Sequence, residues 1–253
     1  MRTPRAECLR RDRRRREKDV PISASIHAWE AGSPAQGKGA AMNDKITILL
    51  STGNPDKAKE LRALLGERFL VQTKTDAGFS DLDIEETGNT LAENASLKVS
   101  GLYHALLLAG KDPDAHWILA DDTGLFVDAL EGRPGIYAAR YAGPHATYQD
   151  NVDKLLGEMQ GVAWANRSAH FKTVIALCRN GITETVEGVL DGRILDVPRG
   201  TNGFGYDPVF YVPEEGRTLA EMSDEEKNHL SHRSRAYRAL LDRLAKEEPG
   251  DSL

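Results

Sequence analysis

The stretch ILADDTGLFV, residues 118–127, joins two apolar segments through a pair of adjacent carboxylates. The first apolar segment, followed by a turn signal at Thr123 and Gly124, is typical of a buried strand that ends at Asp121 and Asp122. Carboxylates beside a buried strand are costly to desolvate unless a cation meets them. Mg²⁺ is a suitable cation, since proteins usually hold it by one or two carboxylates together with substrate phosphates. A solvated turn explains the same residues, because Asp and Gly are ordinary turn residues, so both interpretations stay open at this point.

A strand–turn–helix unit lies upstream of this stretch. Residues 45–50 are apolar and β-branched, which predicts a strand, and STGNPDK follows them at 51–57. Asn54 suits a helix N-cap and Pro55 the first helical position, so we expect a helix from there to about Leu65. The free N–H groups and the dipole at such a helix start favour a phosphate. The spacing of a Walker loop is missing, however, and a well-capped helix with an exposed lysine explains the pattern equally well.

An acidic loop and a long helix come next. Residues 69–73 predict a second strand, and the acidic segment 81–88 after it is typical of a solvated loop. Thr90 and Glu93 match a capping box, which predicts that a helix begins here. Lys98 lies on a different face of this helix from the apolar positions and reaches either a neighbouring site or solvent. The apolar positions predict a buried stripe made of Leu91, Ala95, Val99, Leu102, Ala105, Leu106 and Ala109.

The C-terminal half adds an antiparallel portion to the sheet. A helix is predicted from Thr147 to Met159, and residues 169–178 and 182–195 have the pattern of two strands of a hairpin. Together with the strand–helix alternation upstream, this pattern predicts an α/β fold with a mixed sheet.

Two further segments carry candidate binding residues. The glycine-rich segment RGTNGFGYDP at 199–208 predicts a loop whose backbone can approach a flat ligand, with aromatic side chains that either stack on a base or fill the core. His232 and Arg233 lie at the start of a predicted helix, where the helix dipole disfavours cations. Cations in this position indicate an anionic or carbonyl-bearing ligand.

Length and composition exclude several classes of protein. The 253 residues, 40% of them hydrophobic, suffice for one substantial core or for two lobes that share one. No apolar segment approaches the roughly 20 residues needed to cross a bilayer, so we expect no membrane partner. Cys8 and Cys178 offer neither a disulfide framework nor metal-ligand spacing, which agrees with a cytoplasmic location.

The charge divides the chain near residue 41. Residues 1–41 hold ten Lys and Arg against five Asp and Glu, and the remainder carries −11 within the chain's total of −6. Because the remainder repels polyanions, we expect no nucleic-acid partner and a local basic pocket for any phosphate. The first segment lacks apolar periodicity and is predicted to be disordered. Met42 directly precedes the first strand, so a start assigned too far upstream explains this extension better than a nucleic-acid arm or a transit peptide, and the folded domain is expected to comprise residues 42–253.

Taken together, the motifs resemble those of the inosine/xanthosine triphosphate pyrophosphatase family. Thr123 departs from the family pattern, in which bacterial members often have serine, but it keeps the hydroxyl group. The resemblance covers about residues 45–244 and rests on six segments in family order: STGNPDK (51–57), EETGNTLAENASLK (85–98), ADDTGL (120–125), GIYAARYAG (135–143), GTNGFGYDPVF (200–210) and EKNHLSHR (226–233).

This resemblance implies an elongated mixed sheet flanked by helices, an active-site cleft between two lobes, and a homodimer. It also implies Mg²⁺-dependent hydrolysis of deaminated purine nucleoside triphosphates to the monophosphate and pyrophosphate. Asp122 is expected to be the catalytic residue and a metal ligand, with Glu85 as the second metal ligand and Asp121 as a further ligand or a structural partner. The expected substrate contacts are Thr52, Gly53, Asn54, Pro55, Asp56, Lys57, Lys98 and Lys227 at the triphosphate, Thr123, then Phe204, Gly205, Tyr206 and Asp207 around the base and sugar, and His232 and Arg233 at the base edge.

Two alternatives stay open on the sequence. The septum-formation-type pyrophosphatases share the general fold and prefer other modified or pyrimidine nucleotides. A non-catalytic nucleotide-binding or nucleic-acid-binding protein would use the arginine-rich segment as its contact.

Selectivity for a deaminated base is expected from donors, either backbone N–H groups or Arg233, that satisfy the carbonyl at the purine 6 position and stay unpaired against adenine.

Overall fold

The computed structural model describes residues 46–66 and 69–247 of the chain. These residues all belong to one compact unit, residues 34–253. The disordered extension predicted for residues 1–41 and the chain start predicted at Met42 lie outside the described residues.

Strands and helices alternate in the described residues as an α/β fold requires. The strands are β1 (Ile46–Leu50), β2 (Phe69–Thr73), β3 (Trp117–Val127), β4 (Pro134–Gly135), β5 (Ser168–Arg179), β6 (Ile182–Ile194), β7 (Phe210–Val212) and β8 (Arg217–Thr218). The α-helices are α1 (Pro55–Leu65), α2 (Leu91–Leu108), α3 (Tyr148–Glu158), α4 (Asp224–Leu230) and α5 (His232–Glu247). None of these helices is long and apolar enough to cross a membrane.

The strands form one mixed sheet in the order β2–β1–β3–β5–β6–β7–β8, with β4 paired to β3. β1 lies parallel to β2 and β3, whereas the pairs from β3 through to β8 are antiparallel. The turn between β5 and β6 consists of Asn180 and Gly181, whose φ values of 50° and 71° are those of a tight two-residue hairpin turn. The predicted α/β fold with a mixed sheet flanked by helices is therefore confirmed, while its division into two lobes stays a prediction.

The acidic pair lies inside β3 rather than at its end. The prediction that the strand breaks at Thr123 and Gly124 is wrong, because β3 continues through them and its pairing with β5 runs without interruption from Ile118 to Val127. The buried acids do not end the strand because cationic side chains meet them, as described below. Gly124 is required there because a Cβ atom would lie 2.8 Å from the carbonyl oxygen of Gly135 in β4.

The helix starts agree with the predictions. Asn54 caps α1 by accepting hydrogen bonds from the backbone N–H groups of Asp56 and Lys57. Capping boxes open the next three helices at Thr90 for α2, Thr147 for α3 and Ser223 for α4.

The apolar stripe of α2 is shorter than predicted. Ala105 is only half-buried and Ala109 is exposed, because the last turn of the helix extends beyond the core and Leu108 is 77% exposed there. The predicted stripe is buried at its other positions, Leu91, Ala95, Val99, Leu102 and Leu106.

Side chains along β3 alternate between two apolar clusters. Leu119 packs with α1 and α5 on one face of the sheet, and Ala120 packs with α2 on the other. By the same alternation, Asp121 points toward α1 and α5 and Asp122 points toward α2. A third cluster begins at Leu125 and includes residues of α3. Along β3, the acidic pair therefore lies between the first two clusters, which include Leu119 and Ala120, and the third cluster, which begins at Leu125.

Candidate active site

A cavity of about 380 Å³ opens beside the acidic pair. Its wall combines six cationic side chains with fewer carboxylates and several aromatic rings. The cations are Lys57, Lys74, Lys98, Arg140, Lys227 and Arg233, the carboxylates are Asp83, Glu86, Asp122 and Asp207, and the rings include Tyr148, Phe171, Phe204, Tyr206 and His232. The size of the cavity and its excess of cations suit a small polyanion that also carries a flat group.

Most residues predicted for the site line this cavity, but the predicted substrate contacts Pro55 and Asp56 and the predicted metal ligand Glu85 do not. Asp56 lines a smaller adjoining cavity, and Glu85 is exposed while the next residue, Glu86, faces the main cavity. The predicted roles of these three residues stay predictions. The predicted residues that line the cavity are Thr52, Gly53, Asn54, Lys57, Lys98, Asp122, Thr123, Phe204, Gly205, Tyr206, Asp207, Lys227, His232 and Arg233.

Asp121 pairs with two cations on the α1 and α5 side of β3. Its Oδ2 lies 3.0 Å from Lys57 Nζ and 3.2 Å from Arg233 Nε. Burial acts to raise the pKa of Asp121, but the charges of Lys57 and Arg233 outweigh burial and hold that pKa well below its usual range. Burial lowers the pKa of Lys57, against the opposing charge of Asp121. Because these pairs occupy Asp121 away from the cavity wall, they favour a structural role for it over metal binding.

Asp122 faces α2 and lies at the cavity. Lys98 Nζ is 2.7 Å from Asp122 Oδ1 and 3.0 Å from Glu86 Oε1, so one ammonium group joins two carboxylates. Burial raises the pKa of Asp122, although the charge of Lys98 opposes this change. Burial acts to lower the pKa of Lys98, but Asp122 and Glu86 outweigh it, so the net shift of that pKa is upward. Of the two directions left open for Lys98, the structure shows the one toward a neighbouring site.

The start of α1 lies at the cavity, and its capping hydrogen bonds are made within the protein. Thr52 Oγ1 accepts a hydrogen bond from the backbone N–H of Asn54 at 3.2 Å. The side-chain amide of Asn54 donates to the Tyr148 hydroxyl at 3.1 Å, and that hydroxyl donates to Asp56 Oδ2 at 3.0 Å. Tyr148 thus stabilises the N-terminal turn of α1, at the place where the helix dipole favours a phosphate.

The glycine-rich loop is held by a buried group of ions. Lys227 Nζ lies 2.6 Å from Asp207 Oδ2 and 2.8 Å from Glu60 Oε1. Asp207 also accepts a hydrogen bond from the backbone N–H of Phe204 at 2.9 Å. Gly203 has φ 72°, and a Cβ atom there would lie 2.1 Å from Asp207 Oδ2, so only glycine permits this loop. Through these contacts, Asp207 stabilises the conformation of the glycine-rich loop.

Phe204 presents its ring to the cavity beside several charged and aromatic groups. Lys227 Nζ lies 4.8 Å and Arg233 Cζ 5.4 Å from the ring centroid, both within cation–π range. The ring of Tyr148 lies 5.8 Å from it at an interplanar angle of 37°. A flat ligand at this edge of the cavity would meet aromatic surface as well as positive charge.

His232 and Arg233 begin α5 inside the protein, where acids compensate the charge of Arg233 and burial keeps His232 uncharged. Arg233 bonds Asp121, Glu60 and Thr123. His232 stacks on Phe171 with ring centroids 4.5 Å apart, and its Nδ1 is buried without a hydrogen-bond partner. Burial and the neighbouring charge of Arg233 hold the pKa of His232 well below its usual value, so the imidazole is neutral.

The carboxylates near Lys98 are the best candidates for a metal site. No group of three or more Asp, Glu, His or Cys side chains in the described ranges is arranged to hold a metal ion. Asp122 and Glu86 nevertheless face one common point, which Lys98 Nζ occupies. Two carboxylates suit Mg²⁺, since phosphate oxygens and water usually complete its coordination.

Several site residues were missed by sequence reasoning. Glu86 follows Glu85 in an extended loop, where alternate side chains point to opposite sides, so the doublet itself offered a choice of two. Glu60 lies three residues after Lys57 on α1 and shares its helix face, a signal that could have found it. Arg140 lies within the quoted segment GIYAARYAG (135–143) but was not singled out as a site residue. No sequence signal pointed to Lys74 or Tyr148, because tertiary packing brings them to the cavity.

The fold and the cavity define an α/β protein with a cation-rich, aromatic-lined cavity beside a pair of adjacent acids. A sequence profile of the Ham1 family matches residues 48–243, and the chain belongs to that family. The family resemblance drawn from the six motifs is thereby confirmed.

Relatives and solved structures agree with this assignment. The dITP/XTP pyrophosphatase of Thermoanaerobacter sp. strain X514 is 46% identical over 202 residues, which are 79% of this chain and 98% of the relative. The dITP/XTP pyrophosphatase of Bacillus subtilis strain 168 is 41% identical over 194 residues, 76% of this chain and 93% of the relative. Among solved structures, the Ham1 protein of Staphylococcus aureus has a TM-score of 0.69 at 36% identity, covering 80% of this chain and all of that one. The HAM1 protein of Coxiella burnetii has a TM-score of 0.68 at 38% identity, covering 79% and 99%.

Proposed function

We propose that this protein hydrolyses deaminated purine nucleoside triphosphates, such as dITP, ITP and XTP, to the monophosphate and pyrophosphate. The observation that carries the proposal is the cavity, in which six cations and several aromatic rings surround the carboxylate of Asp122. The relatives named dITP/XTP pyrophosphatase, with which most of the chain aligns, support this choice of substrate.

The cations of the cavity suit a triphosphate. Hydrolysis of a phosphoanhydride depends mainly on positioning and on neutralising the charge of the phosphates. Lys57 and the N-terminal turn of α1 lie on one wall, and Lys98 lies beside Asp122. Lys227 is held by Asp207 and Glu60, so it contributes positive charge from a fixed position rather than by reaching outward.

The two carboxylates that flank Lys98 fit a Mg²⁺ ion. We propose that Asp122 is one ligand and that the second is one of the two adjacent residues, Glu85 or Glu86. Glu85 is the residue that the family resemblance indicates, whereas the contact with Lys98 favours Glu86. When bound, Mg²⁺ would neutralise phosphate charge and lower the pKa of a coordinated water.

Asp122 is also the proposed proton acceptor. Its side chain is 7% exposed and faces the cavity, so an ionised carboxylate there can accept a proton from a water within hydrogen-bond reach. Asp122 takes a proton from the attacking water as the water oxygen bonds to the α-phosphorus of the α–β anhydride. The bond to the bridging oxygen breaks, and pyrophosphate leaves with that oxygen.

The proposed base site lies between the glycine-rich loop and the start of α5. Arg233 has five N–H donors and uses three of its nitrogen atoms on Asp121, Glu60 and Thr123, so N–H groups remain for the carbonyl at the purine 6 position. The neutral His232 lies beside Arg233 with a buried nitrogen that has no partner within the protein. An adenine amino group would leave such donors unpaired, at a cost of about 1–3 kcal/mol, or roughly ten- to hundredfold in selectivity.

Two finer points belong to the same proposal. We propose a homodimer, since exposed apolar side chains such as Leu108 and Ile182, 77% and 74% exposed, could supply apolar contact surface. We also propose a cytoplasmic location, because the proposed substrates form in the nucleotide pool.

Neither a pyrimidine-directed pyrophosphatase nor a non-catalytic binding protein is favoured by any particular contact in the cavity.

The proposal is tested with a panel of nucleotides. The protein is incubated with Mg²⁺ and ITP, dITP, XTP, ATP, GTP, CTP or UTP, and pyrophosphate and orthophosphate are measured separately. We expect pyrophosphate from ITP, dITP and XTP and at least tenfold slower release from ATP. Orthophosphate as the first product, equal rates on every nucleotide, or preference for pyrimidines would contradict the proposal.

A further inference from the structure

We propose that Asn94 is a positioning residue that sets the relation between Asp122 and the loop carrying Glu86. This inference rests on the proposed function, because it assigns Asn94 a task at the proposed Mg²⁺ site. Asn94 lies in the first turns of α2 and is fully buried, at 0% exposure. A buried side-chain amide is costly unless its donor and acceptor atoms both have partners, so the two partners of Asn94 indicate its role.

The first partner is Asp122. Asn94 Nδ2 faces Asp122 Oδ2 at 3.5 Å, while Lys98 Nζ binds the other oxygen, Oδ1, at 2.7 Å. The two oxygens of the carboxylate are therefore addressed from two sides by side chains of the same helix. An ion that replaces the Lys98 ammonium would meet Oδ1, because Oδ2 is turned toward the amide.

The second partner is the loop before α2. Asn94 Oδ1 accepts a hydrogen bond from the backbone N–H of Gly88 at 2.8 Å. A Cβ atom on Gly88 would lie 2.7 Å from that oxygen and 2.6 Å from Glu93 Cβ, so only glycine allows the loop this close to the helix. Gly88 is two residues from Glu86, whose carboxylate faces the same Lys98.

The two contacts also fix the orientation of the amide. Because Oδ1 accepts the hydrogen bond from Gly88, Nδ2 points toward Asp122. One orientation of the Asn94 amide therefore satisfies both partners. The capping box of the same helix turn acts differently: Thr90 Oγ1 accepts from the backbone N–H of Glu93, and Glu93 Oε2 accepts from the backbone N–H of Thr90. The capping box therefore stabilises the helix start, whereas Asn94 connects the first turns of α2 to Asp122.

The test measures metal binding directly, with Mn²⁺ as the probe and no nucleotide present. Free Mn²⁺ is followed by electron paramagnetic resonance in the wild type, Asn94→Ala and Gly88→Ala. We expect both variants to bind Mn²⁺ about 10- to 100-fold more weakly, the usual effect of removing a residue that orients a metal ligand. Gly88→Ala disturbs the same contact from the loop side, by displacing the loop from Asn94 Oδ1, while the chain keeps both the Asn94 and the Asp122 side chains. It therefore carries the test if Asn94→Ala does not fold.

Thr90→Ala is the matched control. It removes the N-cap of the same helix, which costs about 0.5–2 kcal/mol of stability, but leaves both contacts of Asn94 intact. We expect a lower melting temperature and wild-type Mn²⁺ affinity. Equal loss of Mn²⁺ affinity in Thr90→Ala would mean that any loosening of α2 has this effect, and would overturn the specific role of Asn94.

Activity measurements separate this inference from the proposed function. In Asn94→Ala, the Mg²⁺ concentration for half-maximal pyrophosphate release is expected to rise in the same proportion, with the KM for XTP at saturating Mg²⁺ unchanged. Wild-type Mn²⁺ affinity in folded Asn94→Ala and Gly88→Ala, or a wild-type protein that binds no Mn²⁺, would refute the inference. If the wild type still releases pyrophosphate from XTP, the proposed function stands without it; if it does not, the proposed function itself fails.

Discussion

Replacing Glu60 by glutamine removes the carboxylate that joins two buried cations at the cavity. Glu60 Oε1 lies 2.8 Å from Lys227 Nζ, and Oε2 bonds Arg233, with the side chains of these cations only 4% and 3% exposed. Burial acts to raise the pKa of Glu60, but the charges of Arg233 and Lys227 outweigh it and the pKa is lowered, so the group is ionised at neutral pH. In Glu60→Gln, the amide NH₂ group must face one of the two cations.

The magnitude follows from the partners that remain. Removing one member of a buried ion pair costs about 3–5 kcal/mol when the other charge is left alone. Here Lys227 keeps Asp207 at 2.6 Å and Arg233 keeps Asp121 at 3.2 Å. Glutamine also keeps one accepting oxygen, so we expect a loss of about 2–3 kcal/mol in the free energy of unfolding.

The assay is urea unfolding of the nucleotide-free protein, with Glu158→Gln as the matched control. Glu158 also has several partners, with Lys154 Nζ at 2.7 Å and the Tyr141 hydroxyl at 2.7 Å, and its pKa is lowered to about 2, with the hydrogen bond from Lys154 as the largest cause. It lies at the surface, however, where such pairs contribute about 0–1 kcal/mol. Equal losses in the two variants would refute the conclusion that burial makes the ions around Glu60 important. We expect Glu60→Gln also to weaken nucleotide binding, because Lys227 and Arg233 lose a fixed position.

Three other changes test particular residues. Asp122→Asn is expected to abolish turnover while keeping the wild-type circular dichroism spectrum, since the amide cannot accept the proton; a fully active variant would contradict the role of Asp122. Glu86→Gln is expected to raise the Mg²⁺ concentration for half-maximal activity about tenfold or more, with Glu85→Gln near wild type, and the reverse order would restore Glu85 as the second ligand. For His232, whose folded pKa is lowered, the unfolded chain gains a proton near pH 6.5 and the folded protein does not, so stability is kept above that pH and lost below it. Between pH 7.5 and 5.5, the free energy of unfolding measured with urea should therefore fall less steeply in His232→Asn than in wild type, by about 1.4 kcal/mol per pH unit below pH 6.5, and equal slopes would contradict the neutral state of His232.

Local signals in the sequence predicted the elements of the fold well. The cap at Asn54, the capping box at Thr90 and the alternation along residues 169–178 and 182–195 each depend on neighbours in the chain, and each is confirmed. The mixed sheet followed from their order.

The interior of β3 could not be predicted in this way. Two adjacent acids and a Thr-Gly pair are typical of a turn, and the strand continues only because Lys57, Arg233 and Lys98 come from three separate helices to meet the acids. Sequence distance hides such contacts, so tertiary charge pairing overrode the local turn preference.

The site was predicted mainly through motifs, and its supporting ions were not. Motif order indicated the residues that now line one cavity, but the contacts through which Glu60, Glu86 and Asn94 act depend on the tertiary structure. Glu85 is exposed and Glu86 faces the cavity because neighbouring side chains of an extended loop point to opposite sides. The sequence does not determine which of the two points inward.

The central claim is that this cavity splits a deaminated purine triphosphate between its α- and β-phosphates. The most direct measurement follows XTP and ATP by ³¹P nuclear magnetic resonance with wild-type protein and Mg²⁺, with Asp122→Asn in parallel. We expect XMP and pyrophosphate as the only first products from XTP with the wild type, much slower hydrolysis of ATP, and no hydrolysis with the variant. Appearance of XDP and orthophosphate, or equal turnover of ATP, would contradict it.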